Sequence, residues 1–306
     1  MASSYAKQQV TTFQLVGGLG NQLFGYFAGK YYSLQTDSNV RFDTSQFGKG
    51  FSEHSSKITS FALPDNFSDY ESNRRAAYWL RLAANRLLKY AKIAPERTQR
   101  LMRIYDSSTD GYDSGLAAVP SGYLVRGYFQ TYKYSSEVLA ALGSVISLQN
   151  PSSWFLKNAS LADRTKPIMV HVRRGDYSRL QQEFGLLAVD YFLQGCQIVR
   201  ERLADPDREV WIFSDELDAV RNEFSKAGIG LNVRWIEVPK GLDDAESLLL
   251  MSRGSGNVIS NSTFSWWSAI LNPESIVVAP EKWFRGKPDP QDLVPPHWVM
   301  LPSIWK

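Results

Sequence analysis

The sequence has little of two residue types that often carry chemistry: it contains one cysteine, Cys196, and three histidines among 306 residues. With one cysteine, an internal disulfide and a cysteine-based zinc site are both excluded. Hydrophobic residues make up 43% of the chain and charged residues 21%. These values are near the globular average and exclude a disordered or collagen-like chain. We therefore expect an ordinary globular protein of a reducing compartment.

The sequence also lacks long hydrophobic runs. No stretch approaches ~18 uninterrupted apolar residues, and residues 1–9 lack the apolar core that a signal peptide requires. The net charge is only +3, too small to indicate a nucleic-acid-binding protein. We therefore expect a cytoplasmic protein with no nucleic-acid partner.

Positive charge is concentrated between Arg74 and Arg103, where nine basic residues face one acidic residue, Glu96. In a helix over 74–92, apolar residues share one face and most basic residues share the other. The favoured interpretation is a surface helix packed on the core. The second interpretation is peripheral contact with an anionic membrane, at its inner face, or with a lipid-linked glycan.

The second half of the chain alternates β-branched runs with longer helical patterns, which is typical of a doubly wound parallel sheet. Predicted strands cover 167–172, 209–213, 232–238, 257–260 and 275–279, and predicted helices cover 188–204, 216–227, 244–252 and 263–271. In the first half, predicted strands cover 12–16, 40–42 and 122–130, and predicted helices cover 21–33 and 137–142. A linker containing Pro and Ser at 149–153 predicts two domains, 1–153 and 154–306.

Arg173 and Arg174 follow the first predicted strand of the second half, where ligands bind in a doubly wound sheet. Guanidinium groups form bidentate bonds with phosphate, so the pair predicts a diphosphate site; the alternative is an internal ion pair with Asp176. Adjacent residues of extended backbone point in opposite directions. We therefore assign Arg173, on the side of His171, to the ligand and Arg174 to a structural role, paired with Asp176.

The segment Ser-Asn-Ser-Thr-Phe-Ser-Trp-Trp at 260–267 joins a predicted strand to a predicted helix. Its hydroxyl and amide groups lie where a helix N-terminus attracts phosphate, although helix capping also uses such groups. The candidate ligand-binding residues of this segment are Asn261, Ser262, Thr263 and Phe264. For its aromatic side chains, the helix core is favoured over a sugar platform.

Two other strand ends supply candidates. His171 is either a buried core histidine or, as its position beside Arg173 favours, a ligand-binding residue. Asp215 is either the N-cap of the next helix or an acceptor for the N–H donors of guanine or for a ribose hydroxyl. Both residues are therefore included in the predicted site.

A glycine turn at 17–22, Gly-Gly-Leu-Gly-Asn-Gln, ends the first predicted strand and opens a helix. Backbone amides approach ligands closely at such a turn, which makes Gly18, Gly20, Asn21 and Gln22 candidate ligand-binding residues. The turn lacks the last glycine or alanine of the dinucleotide fingerprint and the Lys-Ser/Thr of a P-loop. Helix capping is the alternative role for Asn21 and Gln22.

Asp205-Pro-Asp207 matches the Asp-X-Asp metal motif of many sugar-nucleotide transferases in letters only. It precedes a strand, at the end of the sheet opposite the predicted site, so we interpret it as a turn. Because arginine is available to offset a diphosphate, we expect neither a metal nor a cofactor.

Three segments together resemble the signature segments of the α-1,2-fucosyltransferases: Gly-Gly-Leu-Gly-Asn-Gln-Leu-Phe at 17–24, His-Val-Arg-Arg-Gly-Asp-Tyr at 171–177, and Ser-Asn-Ser-Thr-Phe-Ser-Trp-Trp at 260–267. Their order and spacing match as well. The arginine segment is shared more loosely with α-1,6- and protein O-fucosyltransferases.

The resemblance implies an α/β protein of the GT-B type, with two Rossmann-like domains facing a central cleft. It implies acceptor recognition in the N-terminal half and GDP-fucose binding in the C-terminal half. It also implies inverting transfer of L-fucose to the 2-hydroxyl of a terminal β-galactoside. Arg173 would neutralise the departing diphosphate in that reaction.

Inverting transfer uses a carboxylate or imidazole base within hydrogen-bond reach of the acceptor hydroxyl; the alternative is a loose transition state that needs no strong base. The candidates are Asp176, which we favour, Glu183, Asp43 and His54. The alternatives to the predicted function are transfer to another linkage, as in the α-1,6 relatives, or a non-catalytic sugar-nucleotide- or glycan-binding protein on the same fold. The glycine turn by itself would also suit a dehydrogenase. That interpretation predicts binding of a nicotinamide cofactor, which we expect to be absent.

Overall fold

The structure of this chain is a computed structural model that describes residues 9–47, 55–65, 67–68, 83, 100–142, 146–175, 177, 179–227 and 232–306. The described residues form two units. The first contains those within 1–59, 63–144 and 290–293, and the second contains those within 60–62, 145–289 and 294–306. Except for Ala83, the predicted basic helix over 74–92 lies outside the described residues.

The first unit is built on a parallel sheet in the order β3-β2-β1-β5-β4. Its strands are β1 (Thr11–Gln14), β2 (Val40–Asp43), β3 (Phe67–Ser68), β4 (Ile104–Asp106) and β5 (Leu124–Arg126). Its described helices are α1 (Leu19–Thr36) and α2 (Tyr132–Leu142), with a short 3-10 helix at Leu116–Ala118. The strand order reverses between β1 and β5, so the switch point of this sheet lies at their carboxyl ends.

The second unit is built on a six-stranded parallel sheet in the order β11-β10-β9-β6-β7-β8. Its strands are β6 (Ile168–Val172), β7 (Val210–Ser214), β8 (Val233–Trp235), β9 (Gly256–Val258), β10 (Ile276–Pro280) and β11 (Val299–Leu301). Its helices are α3 (Ser153–Thr165), α4 (Val189–Leu203), α5 (Leu217–Lys226), α6 (Asp244–Met251) and α7 (Thr263–Ile270). This is the Rossmann strand order, with its switch point between β6 and β9.

The core of the second unit explains why its strands are visible in the sequence. All five residues of β6 are buried, and Val170 belongs to the same hydrophobic cluster as Tyr191, Phe192 and Val199 of α4. A parallel strand covered on both faces contains a nearly continuous apolar run. Predicted and observed ends of β6, β7, β9 and β10 accordingly agree within two residues.

The sequence prediction missed α3 and the short strands β3, β4 and β11. Helix α3 begins inside the predicted linker, where Ser152 caps it by accepting a hydrogen bond from the Phe155 backbone N–H. The three strands contain only two or three residues each, too few to show a period of two.

Several predicted ends were also wrong. The predicted strand over 122–130 is confined to Leu124–Arg126, and the backbone leaves the extended conformation on either side of it, at Gly122 with a φ of 85° and at Phe129 with a φ of 54°. Strand β8 ends at Trp235 rather than at residue 238, and α1 begins two residues earlier than predicted. Among the described helices, none has both the length and the apolar character needed to cross a membrane.

Candidate functional site

The switch point of the second unit brings together the segments that follow β6 and β9. His171 lies near the end of β6, and its Nδ1 atom is 3.0 Å from the hydroxyl oxygen of Ser260, which follows β9. Tyr177, from the loop after β6, donates a hydrogen bond from its hydroxyl to the Asn261 backbone carbonyl at 3.1 Å. The residues predicted from two separate motifs therefore lie side by side.

His171 is buried, with 5% of its surface exposed. Burial lowers the pKa of its imidazole to about 4; the nearby Asp215 carboxylate opposes this shift and Arg173 adds to it. The ring is therefore neutral near pH 7. The Phe264 ring lies against the imidazole ring of His171, with 5.4 Å between the ring centroids, so Phe264 contacts the site. Phe264 is half-buried.

Asp215 connects the two arginines. Its Oδ2 atom forms an ion pair with Arg173 at 2.9 Å, and its Oδ1 atom accepts the Arg174 backbone N–H at 2.9 Å. A Cβ atom on Gly175 would lie 2.5 Å from Oδ2, so only glycine allows this approach. Asp215 thus positions Arg173 in this structure, and its predicted contact with guanine or ribose remains a prediction.

The two arginines differ as expected for residues pointing in opposite directions. The Arg173 side chain is 29% exposed, whereas that of Arg174 is 5% exposed and bonds Glu223 of α5 at 2.9 Å. Burial alone would raise the pKa of Glu223, but hydrogen bonds from Arg174 and Lys306 outweigh it and lower that pKa. Glu223 is a partner that the sequence prediction missed; Asp176, the predicted partner and candidate base, lies outside the described residues.

The segment after β9 gives the Asn261 side-chain NH2 group a structural role, and ligand contact through the other groups of Asn261 stays a prediction. Its side-chain amide is buried and donates to the backbone carbonyls of Phe184 at 2.7 Å and Trp283 at 3.0 Å. Because a buried amide must use its hydrogens, Asn261 joins two loops instead of offering these donors to a ligand. Ser262 caps α7 by accepting the Phe264 backbone N–H.

The remaining residues of this segment take different positions. Thr263 is the first residue of α7 and is half-buried. Trp266 and Trp267 are fully buried and contact each other edge to face, which confirms their predicted place in the core. Ligand contact of Ser262 and Thr263 stays a prediction.

An aromatic row beside Arg173 was not predicted. The Arg173 guanidinium lies 5.5 Å from the Tyr177 ring centroid, and the Tyr177 ring stacks on Phe184 at 4.9 Å. Lys287 lies over both Phe184 and Phe284, at 5.3 and 4.2 Å. Lys287 reaches Phe184 from 103 positions away, so no local pattern in the sequence indicates that contact.

In the first unit, the glycine turn allows the chain to enter α1. Gly17 has a φ of 68°, and a Cβ atom there would lie 2.7 Å from the Asn21 amide nitrogen. Gly18 is the N-cap of α1, and Gly20 is buried in its first turn. The left-handed conformation thus falls on Gly17, one residue before the predicted candidates.

Gln22 has a structural role that corrects its assignment to the ligand. Its amide nitrogen donates to the carbonyls of Gly17 at 3.0 Å and Ser55 at 2.9 Å. Its amide oxygen accepts the backbone N–H groups of Lys57 at 3.0 Å and Ile58 at 3.1 Å. All its hydrogen-bonding positions hold backbone groups.

Substitution of Gln22 by alanine is expected to lower the free energy of unfolding by about 3 kcal/mol, because buried backbone groups lose their partners. Urea denaturation measures this change. Gln35→Ala is the matched control on the same helix: its amide bonds an exposed Glu137, so the expected effect is within about 0.5 kcal/mol. Equal effects of the two substitutions would refute the structural role of Gln22.

Asn21 lies at the switch point of the first unit. Its amide oxygen accepts a hydrogen bond from Gln130 at 2.9 Å, which joins the first turn of α1 to the segment that follows β5. Phe129, which lies between β5 and Gln130, is fully buried and has a φ of 54°. This is a strained backbone conformation for an aromatic residue. Because the Asn21 amide oxygen faces Gln130, the Asn21 amide nitrogen does not take part in this hydrogen bond. Contact between Asn21 and a ligand stays a prediction.

Of the four candidate bases, Asp43 of the first unit and Glu183 of the second lie among the described residues. Asp43 is fully buried at the end of β2, where its Oδ1 atom accepts the Ser45 backbone N–H. Glu183 is half-exposed and pairs with Lys287 at 3.2 Å. His54 lies outside the described residues. The geometry favours no base among them.

The described part of the chain contains no group of three His, Cys, Asp or Glu side chains that could hold a metal ion. Asp205 and Asp207 form a turn between α4 and β7, as predicted: the Asp207 backbone N–H bonds the Asp205 carboxylate at 3.2 Å, and that carboxylate pairs with Arg208.

The solved structures that share this fold include fucosyltransferases of the GT-B type. Fucosyltransferase NodZ from Bradyrhizobium matches with a TM-score of 0.51 at 17% identity, covering 87% of this chain and 94% of NodZ. FUT1 of Arabidopsis thaliana, in complex with GDP, matches with a TM-score of 0.50 at 12% identity, covering 89% and 70%. These likenesses confirm the predicted fold class, an α/β protein of the GT-B type.

Sequence comparison then gives the family. The family model "Glycosyl transferase family 11" matches residues 108–301. An alpha-1,2-colitosyltransferase of Escherichia coli is 24% identical over 303 residues, which is 95% of this chain and 99% of that protein. The O-antigen biosynthesis glycosyltransferase WbnK of Escherichia coli is 29% identical over 146 residues, 46% of either chain. The chain belongs to glycosyl transferase family 11 and is a glycosyltransferase.

Proposed function

We propose that this enzyme transfers L-fucose from GDP-fucose to the 2-hydroxyl of a terminal β-galactoside, with inversion and formation of an α-1,2 linkage. The carrying observation is the position of Arg173 at the switch point of the second unit, held by Asp215 beside the neutral His171. A partly exposed guanidinium at this edge suits a nucleoside diphosphate.

The arrangement supports a simple division of chemical roles. Charge accumulates on the diphosphate as its bond to the sugar breaks, and a preorganised guanidinium stabilises that charge. Arg173 supplies this group and is catalytic in the proposed reaction. Asp215 holds the Arg173 guanidinium in place, and the diphosphate accepts hydrogen bonds from the same guanidinium when the donor binds. The proposed catalytic base is Asp176.

The linkage is supported by the α-1,2-colitosyltransferase relative, which spans nearly the full chain. The same relative makes colitose a second candidate for the transferred sugar. Colitose lacks only the 3-hydroxyl of fucose, so both sugars present the same diphosphate to Arg173. Two donors, GDP-fucose and GDP-colitose, therefore need to be compared.

The test is GDP release from each donor with lactose as acceptor, followed by NMR of the product to establish the linkage. Faster turnover of GDP-fucose and an α-1,2-linked product are expected. A product linked through another hydroxyl contradicts the linkage, and preference for GDP-colitose contradicts the donor. Binding of GDP-fucose with no turnover of any acceptor would indicate a sugar-nucleotide-binding protein.

The natural acceptor is proposed only as a β-galactoside. Lactose, lacto-N-biose-type and N-acetyllactosamine-type acceptors differ in the residue that follows the terminal galactose. Comparison of kcat/KM for the three acceptors is the direct test. Activity with none of them, alongside activity on a non-galactoside, would refute the galactoside proposal.

Activity is expected to survive EDTA with less than about a twofold change, because Arg173 rather than a cation offsets the diphosphate. Initial rates with and without EDTA measure this. Loss of turnover that magnesium or manganese restores would show that the reaction needs a metal.

A further inference from the structure

Ser260 makes a contact that the proposed reaction has not used. Its hydroxyl oxygen lies 3.0 Å from Nδ1 of His171, and both residues are buried. The Nε2 atom on the other side of the ring has no hydrogen bond to a described residue. The ring is thus held on one edge, and its other edge is available to a ligand.

The surrounding hydroxyls indicate where the Ser260 proton lies. The Ser265 hydroxyl donates to backbone carbonyls, to that of Ser262 at 3.1 Å or that of Ser260 at 3.3 Å. Its oxygen is a poorer acceptor for the Ser260 proton, because it lies at 3.5 Å whereas His171 Nδ1 lies at 3.0 Å. These distances favour Ser260 as the donor and Nδ1 as the acceptor.

An imidazole that accepts at Nδ1 carries its proton on Nε2 when it is neutral. Burial keeps the pKa of His171 far below 7, which supports the neutral ring. The Phe264 ring at 5.4 Å limits rotation of the imidazole. Without the Ser260 hydroxyl, either nitrogen can carry the proton.

We propose that Ser260 is a positioning residue that holds His171 as the neutral Nε2–H tautomer, so that the ring donates a hydrogen bond to an oxygen of the nucleotide sugar beside Arg173. This inference rests on the proposed function for the identity of the ligand. The tautomer itself does not depend on which sugar is transferred.

Nitrogen-15 NMR of the histidine side chains in the ligand-free enzyme tests the tautomer directly. The chain has only three histidines, His54, His171 and His297, so a His171→Asn variant identifies the signals. At pH 7 we expect a protonated Nε2 and a bare Nδ1 in the unsubstituted enzyme. We expect the same state in Ser260→Thr and a mixture of tautomers in Ser260→Ala. A protonated Nδ1 in the unsubstituted enzyme, or no change in Ser260→Ala, would overturn the proposal.

Ser265→Ala is the matched control, because Ser265 bonds backbone carbonyls and its loss leaves the shorter contact between Ser260 and His171 in place. We expect it to lower the melting temperature without changing the tautomer. A change of tautomer as large as that in Ser260→Ala would assign the effect to general packing and overturn the specific role of Ser260.

Kinetics with GDP-fucose test the consequence for the ligand. Because the apparent affinity falls only with the fraction of rings in the Nε2–H tautomer, Ser260→Ala is expected to raise the KM for the donor about two- to threefold, with Ser260→Thr close to the unsubstituted enzyme. An unchanged donor KM in Ser260→Ala would overturn the contact between His171 and the donor. No turnover of GDP-fucose by the unsubstituted enzyme, together with the expected tautomer, would refute the proposed donor but not the role of Ser260 in holding the ring.

Discussion

Arg173→Lys is expected to lower kcat by about 10²–10³, although the positive charge is retained. Loss of one transition-state donor group costs about this much in other enzymes. An ammonium group cannot reproduce the planar pair of donors that a guanidinium offers to a diphosphate. Steady-state kinetics with GDP-fucose and lactose measure the loss. Melting temperature should change little, since the Arg173 side chain is 29% exposed.

Arg174→Lys is the matched control at the neighbouring position. Its side chain is directed to Glu223 and is buried, so we expect lower stability with only a small change in kcat of the folded enzyme. Equal catalytic losses with unchanged melting temperatures would refute the division of roles. A larger catalytic loss at Arg174 would show that the assignments of the two arginines are reversed.

Arg174→Met is expected to destabilise the enzyme by about 2–3 kcal/mol at pH 7. Methionine keeps part of the packing but removes every hydrogen bond to Glu223, and hydrogen bonds to charged groups contribute about 1.5–3 kcal/mol. Lys306 remains as a second partner of Glu223, which limits the cost. Urea denaturation at pH 7 measures the difference.

The effect should depend on pH through Glu223. Its pKa in the folded protein is lowered by Arg174 and Lys306 against the effect of burial, from an ordinary value of 4.5. Its ion pairs therefore stabilise the fold above pH 4.5, and this contribution is lost as the pH falls through the lower folded pKa. The stability difference between the unsubstituted enzyme and Arg174→Met should be constant from pH 7 to about 5 and shrink below.

Arg221→Met tests whether burial, rather than ion pairing in general, carries the effect. Arg221 lies on the same helix as Glu223 but pairs with Asp218 and Glu237, which are largely exposed. We expect a change within about 0.5 kcal/mol. A loss at Arg221 as large as that at Arg174 would contradict this explanation.

The strands of the second unit could be predicted because each is covered on both faces. Strands such as β6 and β7 are continuous apolar runs between turn residues, and that pattern is local. Strand β4 has one buried residue, Ile104, among its three. Its strand conformation depends on pairing with β5, a segment about 20 residues away, so its own sequence carries little signal.

The features of the candidate site also fall into those that the sequence determined and those that only the fold decided. The sequence by itself determined which residue types follow each strand, and alternation along the extended chain separated Arg173 from Arg174. It could not determine hydrogen-bond partners, because these depend on which segments the fold brings together. Gln22 and Asn261 were candidates for ligand binding by residue type, yet the structure places their amides on backbone groups, since buried amides must satisfy their hydrogen bonds.

The partners of the remaining site residues were decided by tertiary structure alone. Glu223 reaches Arg174 from 49 residues away, and Ser260 reaches His171 from 89 residues away. The carboxyl ends of β6 and β9 lie together because these two parallel strands pair, a contact that no local sequence pattern encodes. Residue type and periodicity are local properties and can be obtained from the sequence. Which side chains become hydrogen-bond or ion-pair partners is decided by the folded sheet.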